Sequence, residues 1–218
     1  MPISGKSIIG LDFINFLREN YTGMPKDELE RMVAEICGLI EFAMDRRNNP
    51  QRVMDKIAKT IHKTFEFRSV SIGLKCDDGL YRYTSVIGRT SDEEAALRKL
   101  SFNLQDMMDY DKYPNVRLGR AIQYHPVEAF PNDELELKSF GNPPLLDKPR
   151  EVLNEFKPGD YIDFYMHGHE GKLIGWIEVS NTKDSKMPSR SSIKWIELLS
   201  ELTALIIQLR ALQKEPSV

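Results

Sequence analysis

A chain of 218 residues with 41% hydrophobic and 29% charged side chains is long enough to bury its own core, and it reads as a globular protein. Its 30 basic and 33 acidic residues leave a formal net charge of -3 with no long block of one sign, so no nucleic-acid partner is expected. Cys37 and Cys76 stand far apart, which argues against a disulfide framework or a cysteine zinc site and fits a reducing, cytoplasmic setting.

Ile8 to Leu11 is a short apolar run broken by Asp12, so neither an export signal nor membrane insertion is expected. Ile9, Phe13, Phe16 and Leu17 give Ser7 to Glu19 a helical period. After the break at Thr22 to Pro25, a longer helix carries Leu29, Met32, Val33, Ile36, Leu39, Ile40 and Ala43 as one apolar stripe. Asn49-Pro50 caps and opens the next helix, with Val53 or Met54, Ile57, Ala58, Ile61 and Phe65 facing inward.

The period then changes to alternation. Val70, Ile72 and Leu74 alternate with Ser69, Ser71, Gly73 and Lys75, and a turn at Cys76 to Gly79 leads into a strand through Tyr81, Tyr83 and Ser85. Ser91-Asp92-Glu93-Glu94 reads as a capping box opening a helix that continues to about Asp109. Seven of the twelve prolines fall between Pro114 and Pro158, so most of that stretch is expected to be loop, with short elements at Arg117 to Ile122 and His125 to Phe130.

Lys157 to Leu212 organises the rest: two strands around Gly168 to Gly171, then one long helix capped by Ser189. Counting outward from the turn sets Tyr165 opposite Ile174, Asp163 opposite Trp176 and Tyr161 opposite Glu178. One face is then apolar, with Ile162, Phe164, Met166, Leu173, Ile177 and Val179. The other mixes Tyr161, Asp163, Tyr165, Ile174, Trp176 and Glu178. Trp195, Leu198, Leu199, Leu202, Leu205, Ile206, Leu209 and Leu212, widened by Ile193, Ile196 and Ile207, make the last helix apolar on more than one side.

The order of these elements, with Val53 to Ala58, Arg68 to Leu74 and Asp78-Gly79 early, Gly119 to Ile122 and His125 to Val127 in the middle, and Gly171 to Val179 late, resembles the GAF domain. That is a PAS-like small-molecule sensor module, and the likeness covers about residues 50 to 212. The long Ser91 to Tyr113 segment is similar to versions found in sensor proteins of archaea, and the usual proline before the last hairpin turn is missing. The cyclic-nucleotide pattern, the bilin-attaching cysteine and the cysteine set of free methionine sulfoxide reductases are also missing, so no cofactor is implied.

The resemblance implies an α+β fold, a central antiparallel β-sheet with terminal helices on one face and loops and short helices on the other. Residues 1–48 are expected to be a helical extension, 49–213 the GAF-like domain and 214–218 a tail. It further implies a cytoplasmic sensor that binds a small molecule, dimerises through its N- and C-terminal helices and signals to a downstream protein, since no output element is visible in the chain. Ligand-binding candidates are Tyr161, Asp163, Tyr165, Trp176 and Glu178, with Ser71 and Arg120 contributing.

Competing readings stand beside this one. Asp163 pairs equally well with Arg82 or Arg120 as a purely structural carboxylate. An enzyme on the same scaffold, with Asp163 or Glu178 as acid or base, requires a carboxylate of raised pKa in an open pocket. A ligand-free dimerisation scaffold is the third reading. His167, His169 and Glu170 read as a solvated turn rather than a metal site, and His62 and His125 receive no role.

Overall fold

Strand-forming sequence gathers into one sheet: β1 (Phe67–Lys75), β2 (Tyr81–Ile87), β3 (Val116–Arg117), β4 (Ile122–His125), β5 (Tyr161–His167) and β6 (Leu173–Thr182). All pairs are antiparallel, in the order β2-β1-β6-β5-β4-β3. The computed structural model describes residues 15, 18, 19, 24, 25, 27–129 and 149–212. The chain divides into two compact units, Met1–Gly38 and Leu39–Val218. Most of the expected Ser7 to Glu19 helix, residues 130–148 and the 214–218 tail lie outside the described residues.

Among the described residues the helices are α1 (Glu28–Met44), α2 (Pro50–Thr64), α3 (Ser91–Leu97), α4 (Leu104–Met107) and α5 (Arg190–Leu212). Asn49 caps α2 by accepting from the Arg52 N–H, and Pro50 fills the first helical position, where no donor is needed. Both Val53 and Met54 are buried, with Ile57, Ala58 and Ile61. This helix lies on β1 and β2, while α5 lies on β5 and β6, so both cover the same sheet face. Val70, Ile72, Ile162, Phe164, Ile177 and Val179 are each fully enclosed, a burial that stabilises by roughly 1.5–3 kcal/mol per side chain.

Arg210, near the end of α5, donates to the carbonyls of Ala43, Asp45 and Asn48. These carbonyls at and just beyond the C-terminal end of α1 include groups with no partner inside the helix, and a guanidinium both satisfies them and complements the helix dipole. The stripe expected on α1 is split: Met32, Leu39 and Ala43 are buried, but Leu29, Val33 and Ile40 are exposed.

Several local expectations need correction. The capping box is Thr90 with Glu93, one residue earlier than Ser91: the Thr90 hydroxyl accepts from the Glu93 N–H and the Glu93 carboxylate accepts from the Thr90 N–H. The helix it opens stops at Leu97 rather than about Asp109, because Phe102 turns outward from helix geometry to exchange both backbone hydrogen bonds with Tyr81 at the sheet edge. Among the described residues of the proline-rich stretch, the short elements are β3, β4 and a 3₁₀ turn at Val127–Ala129.

The last hairpin is shifted by two residues from the register counted from its turn. Tyr165 pairs with Trp176, Asp163 with Glu178 and Tyr161 with Ser180. A 3₁₀ turn at His169–Gly171 and an irregularity between Met166 and His167 take up the difference. An even shift leaves most residues on their expected faces. Leu173, next to the irregularity, changes sides and packs with Tyr81, Tyr83 and Trp176 instead of the helix-facing core.

Candidate functional site

The sheet face away from α2 and α5 is built in three rows that run across the strands. Gly73 of β1, Trp176 of β6 and Tyr165 of β5 form the first. Ser71, Glu178, Asp163 and Gln123 form the second, and Ser69, Ser180, Tyr161 and His125 the third. The first is chiefly aromatic, the second wholly polar, the third mixed.

Gly73 is required where it stands. A Cβ there would lie 2.0 Å from the Trp176 indole, so the ring lies over bare backbone and brings its edge toward Tyr83, with centroids 5.1 Å apart. Leu97 and Leu100 join this aromatic cluster, with Phe102, Met107 and Met108 packed against it. A bulge in the β1–β2 pairing sets Tyr83 opposite Gly73 and Ser85 opposite Ile72. Tyr83 therefore faces the site, while Ser85 donates to Asp55 of α2 on the opposite side.

Glu178 is buried yet well served. Tyr83 donates to its Oε2 at 2.5 Å, and Arg89 Nη2 lies 3.6 Å from its Oε1 while also donating to Ser180 at 2.8 Å. Burial raises the Glu178 pKa, and the Arg89 charge and the Tyr83 hydrogen bond pull it back down. Arg89 reaches this point from the turn at Gly88, whose φ of +80° and contact with the Arg68 carbonyl leave no room for a side chain.

Asp163, its neighbour on β5, is poorly served. Among the described residues, its Oδ2 has only Tyr165 Oη at 3.5 Å and His125 Nε2 at 3.6 Å, and its Oδ1 has no hydrogen-bond partner. Burial first, and then the Glu178 charge, push its pKa well above the ordinary carboxylate value. His125 stacks on Tyr161 with centroids 4.3 Å apart, and burial lowers its pKa to about 3, so the ring is neutral. Neither of its ring nitrogens, nor the hydroxyl of Ser71, makes a hydrogen bond of good geometry.

Of the expected site residues, the structure brings Tyr161, Asp163, Tyr165, Trp176, Glu178 and Ser71 together, all buried. Arg120 is exposed in the β3–β4 connection, where its carbonyl accepts from Arg117. Arg82 pairs with Asp78 at the β1–β2 turn, so neither arginine offered as a structural partner for Asp163 takes that part. Asp163 does have a raised pKa, as the enzyme alternative asks, but its side chain is only 9% exposed rather than set in an open pocket.

Sequence reasoning missed Tyr83, Arg89 and His125. Tyr83 was hidden by the bulge and Arg89 by its place in a turn without periodicity. His125 was missed because its place in the third row is set by the pairing of β4 with β5, which joins residues far apart in the chain.

No protein-family model matches the chain, and no curated protein does. Solved structures do. A GAF domain from an Acinetobacter phosphoenolpyruvate-protein phosphotransferase superposes with a TM-score of 0.53 at 10% identity, covering 89% of this chain and 100% of that one. The A. aeolicus nlh2 GAF domain in an inactive state gives 0.53 at 12%, covering 84% and 99%. Residues 122 to 287 of a methyl-accepting chemotaxis protein give 0.51 at 14%, covering 82% and 99%. With a six-stranded antiparallel sheet, α2 and α5 on one face and loops and short helices on the other, the chain has the fold of a GAF domain.

Proposed function

We propose that this domain is a sensory or regulatory module that binds a small molecule on the sheet face away from α2 and α5 and passes the change to a partner protein through its helices. The observation that carries this reading is Asp163: a buried carboxylate with an unsatisfied oxygen, in the same row as the equally unsatisfied hydroxyl of Ser71, is costly to keep unless something fills the place. Tyr161, Asp163, Tyr165, Trp176, Glu178 and Ser71 form the ligand face, and Arg89, Tyr83 and His125 complete it. A chemotaxis protein among the structural neighbours fits a sensory role.

Relay through α5 is supported by a second apolar seam on that helix. Trp195, Leu198, Leu202, Leu205, Leu209 and Leu212 alternate at spacings of three and four, the heptad pattern of helices that pair along their length. Leu198, Leu205, Leu209 and Leu212 are exposed, while Ile193, Ile196, Leu199 and Ile206 supply the stripe buried within the fold. A second copy pairing along this seam makes a homodimer whose junction is the helix that lies on β5 and β6. No helix among the described residues is long and apolar enough to cross a membrane, and a cytoplasmic location agrees with the two unpaired cysteines.

Native mass spectrometry of the protein as purified tests both parts together. A dimer carrying a non-covalent small molecule is the expected species. A bare monomer that binds nothing from a metabolite mixture would sink the reading.

A further inference from the structure

Charge and hydrogen-bond accounting on the polar row narrows what the ligand is. Glu178 already has a cation, Arg89, and a hydroxyl donor, Tyr83. Among the described residues Asp163 has neither at good distance: what faces it is the Glu178 carboxylate from β6, Gln123 and the neutral His125 from β4, and the Tyr165 hydroxyl of its own strand, which lies closer to Gln123 Oε1. The row thus carries two carboxylates and one guanidinium. The second orphaned group, Ser71 Oγ, is on β1, with β6 between it and Asp163. Two strand spacings of about 4.8 Å each put the two backbone positions roughly 10 Å apart.

Resting on the sensor reading above, we propose that the ligand is a short, elongated amine that sets a protonated nitrogen against Asp163 Oδ1 and a second polar group, such as a hydroxyl, against Ser71 Oγ. The nitrogen supplies the missing counter-charge and donors at Asp163. Its neighbours in the adjoining rows are aromatic, Tyr165 and Trp176 on one side and Tyr161 on the other. An anionic ligand would be set against two buried carboxyl groups served by one guanidinium, and a wholly apolar one would leave both orphaned groups unmet.

Calorimetric titration of the full chain with three size-matched probes tests this: 5-aminopentan-1-ol, pentane-1,5-diol and 5-hydroxypentanoate. The amino alcohol is expected to bind about tenfold or more tightly than the diol, the scale of one charge-assisted hydrogen bond, with no binding by the hydroxy acid. Asp163→Asn should erase the preference for the amine. Ser71→Ala should weaken amine and diol alike and leave the preference intact, a readout that does not depend on the Asp163 variant folding. Equal binding of amine and diol, tighter binding of the hydroxy acid, or no heat from any probe overturns the proposal. A neutral or anionic molecule co-purifying with the protein overturns it too while leaving the sensor reading standing, so the two fail separately.

Discussion

Asp160 and Asp163 lie three residues apart, both buried, and they are treated in opposite ways. Asp160, at 0% exposure, accepts from the Tyr124 hydroxyl, the Val127 and Lys157 N–H groups, and both terminal nitrogens of Arg150, all between 2.7 and 2.9 Å. Arg150 reaches on to Glu128, so this carboxylate ties together chain on both sides of residues 130–148. Among the described residues Asp163 has one oxygen with no partner and one with only distant ones. A saturated buried carboxylate holds a fold together; a starved one costs stability and is kept for something else.

Breaking the saturated member should have the largest effect. Asp160→Ala leaves Arg150 half-buried without its main partner and strips the Val127 and Lys157 amides of their acceptor; a loss of about 3–5 kcal/mol is expected, read from the urea midpoint. Tyr83→Phe probes the case between the two, because it removes the donor to Glu178 Oε2 and turns a served carboxylate into a partly starved one. A loss of about 1–3 kcal/mol is expected in the same measurement.

Asp163→Asn should have the smallest effect on stability at neutral pH, within about 1 kcal/mol and in the stabilising direction, because it removes a buried carboxyl group whose charged form burial disfavours and which no cation among the described residues serves. Its pH dependence is the sharper test. The folded pKa of Asp163 lies above the unfolded value near 3.8, so the native state holds this proton more tightly. The stability it lends is fully present below that unfolded value and is lost as pH rises through the folded one. Urea unfolding from pH 5 to 8 should show a more downward slope in the wild type than in the variant, because the contributions of Glu178, whose pKa is also raised, and of His125, whose lowered pKa makes stability rise with pH up to its ordinary value near 6.5, are common to both. Identical slopes would mean that Asp163 is neutralised by other means.

Most of the fold could be read from the sequence, because it rests on local rules. The Asn49-Pro50 start, the period change after Arg68 and the alternation in β5 and β6 each follow from capping or side-chain parity. Parity also explains why a hairpin register wrong by two still placed Tyr161, Asp163, Tyr165, Trp176 and Glu178 on the correct face. Leu173 was misplaced because the irregularity at Met166 and His167 breaks parity there, and Tyr83 was overlooked because the bulge beside Gly73 does the same. Arg89 and His125 enter the site through tertiary contacts that connect residues far apart in the chain, and no spacing rule reports those.

The seating of Trp176 over Gly73 gives the molecule a built-in optical probe. The chain has two tryptophans, and they divide between the two surfaces: Trp176 is 2% exposed at the edge of the polar row, and Trp195 begins the leucine seam of α5. With Trp195 replaced by Phe, emission reports the sheet face alone, as a blue, enclosed indole sensitive to any charge that arrives near Asp163. With Trp176 replaced instead, the remaining indole reports whether the seam is covered. Ligand arrival and helix pairing can therefore be followed separately, each in its own single-tryptophan variant.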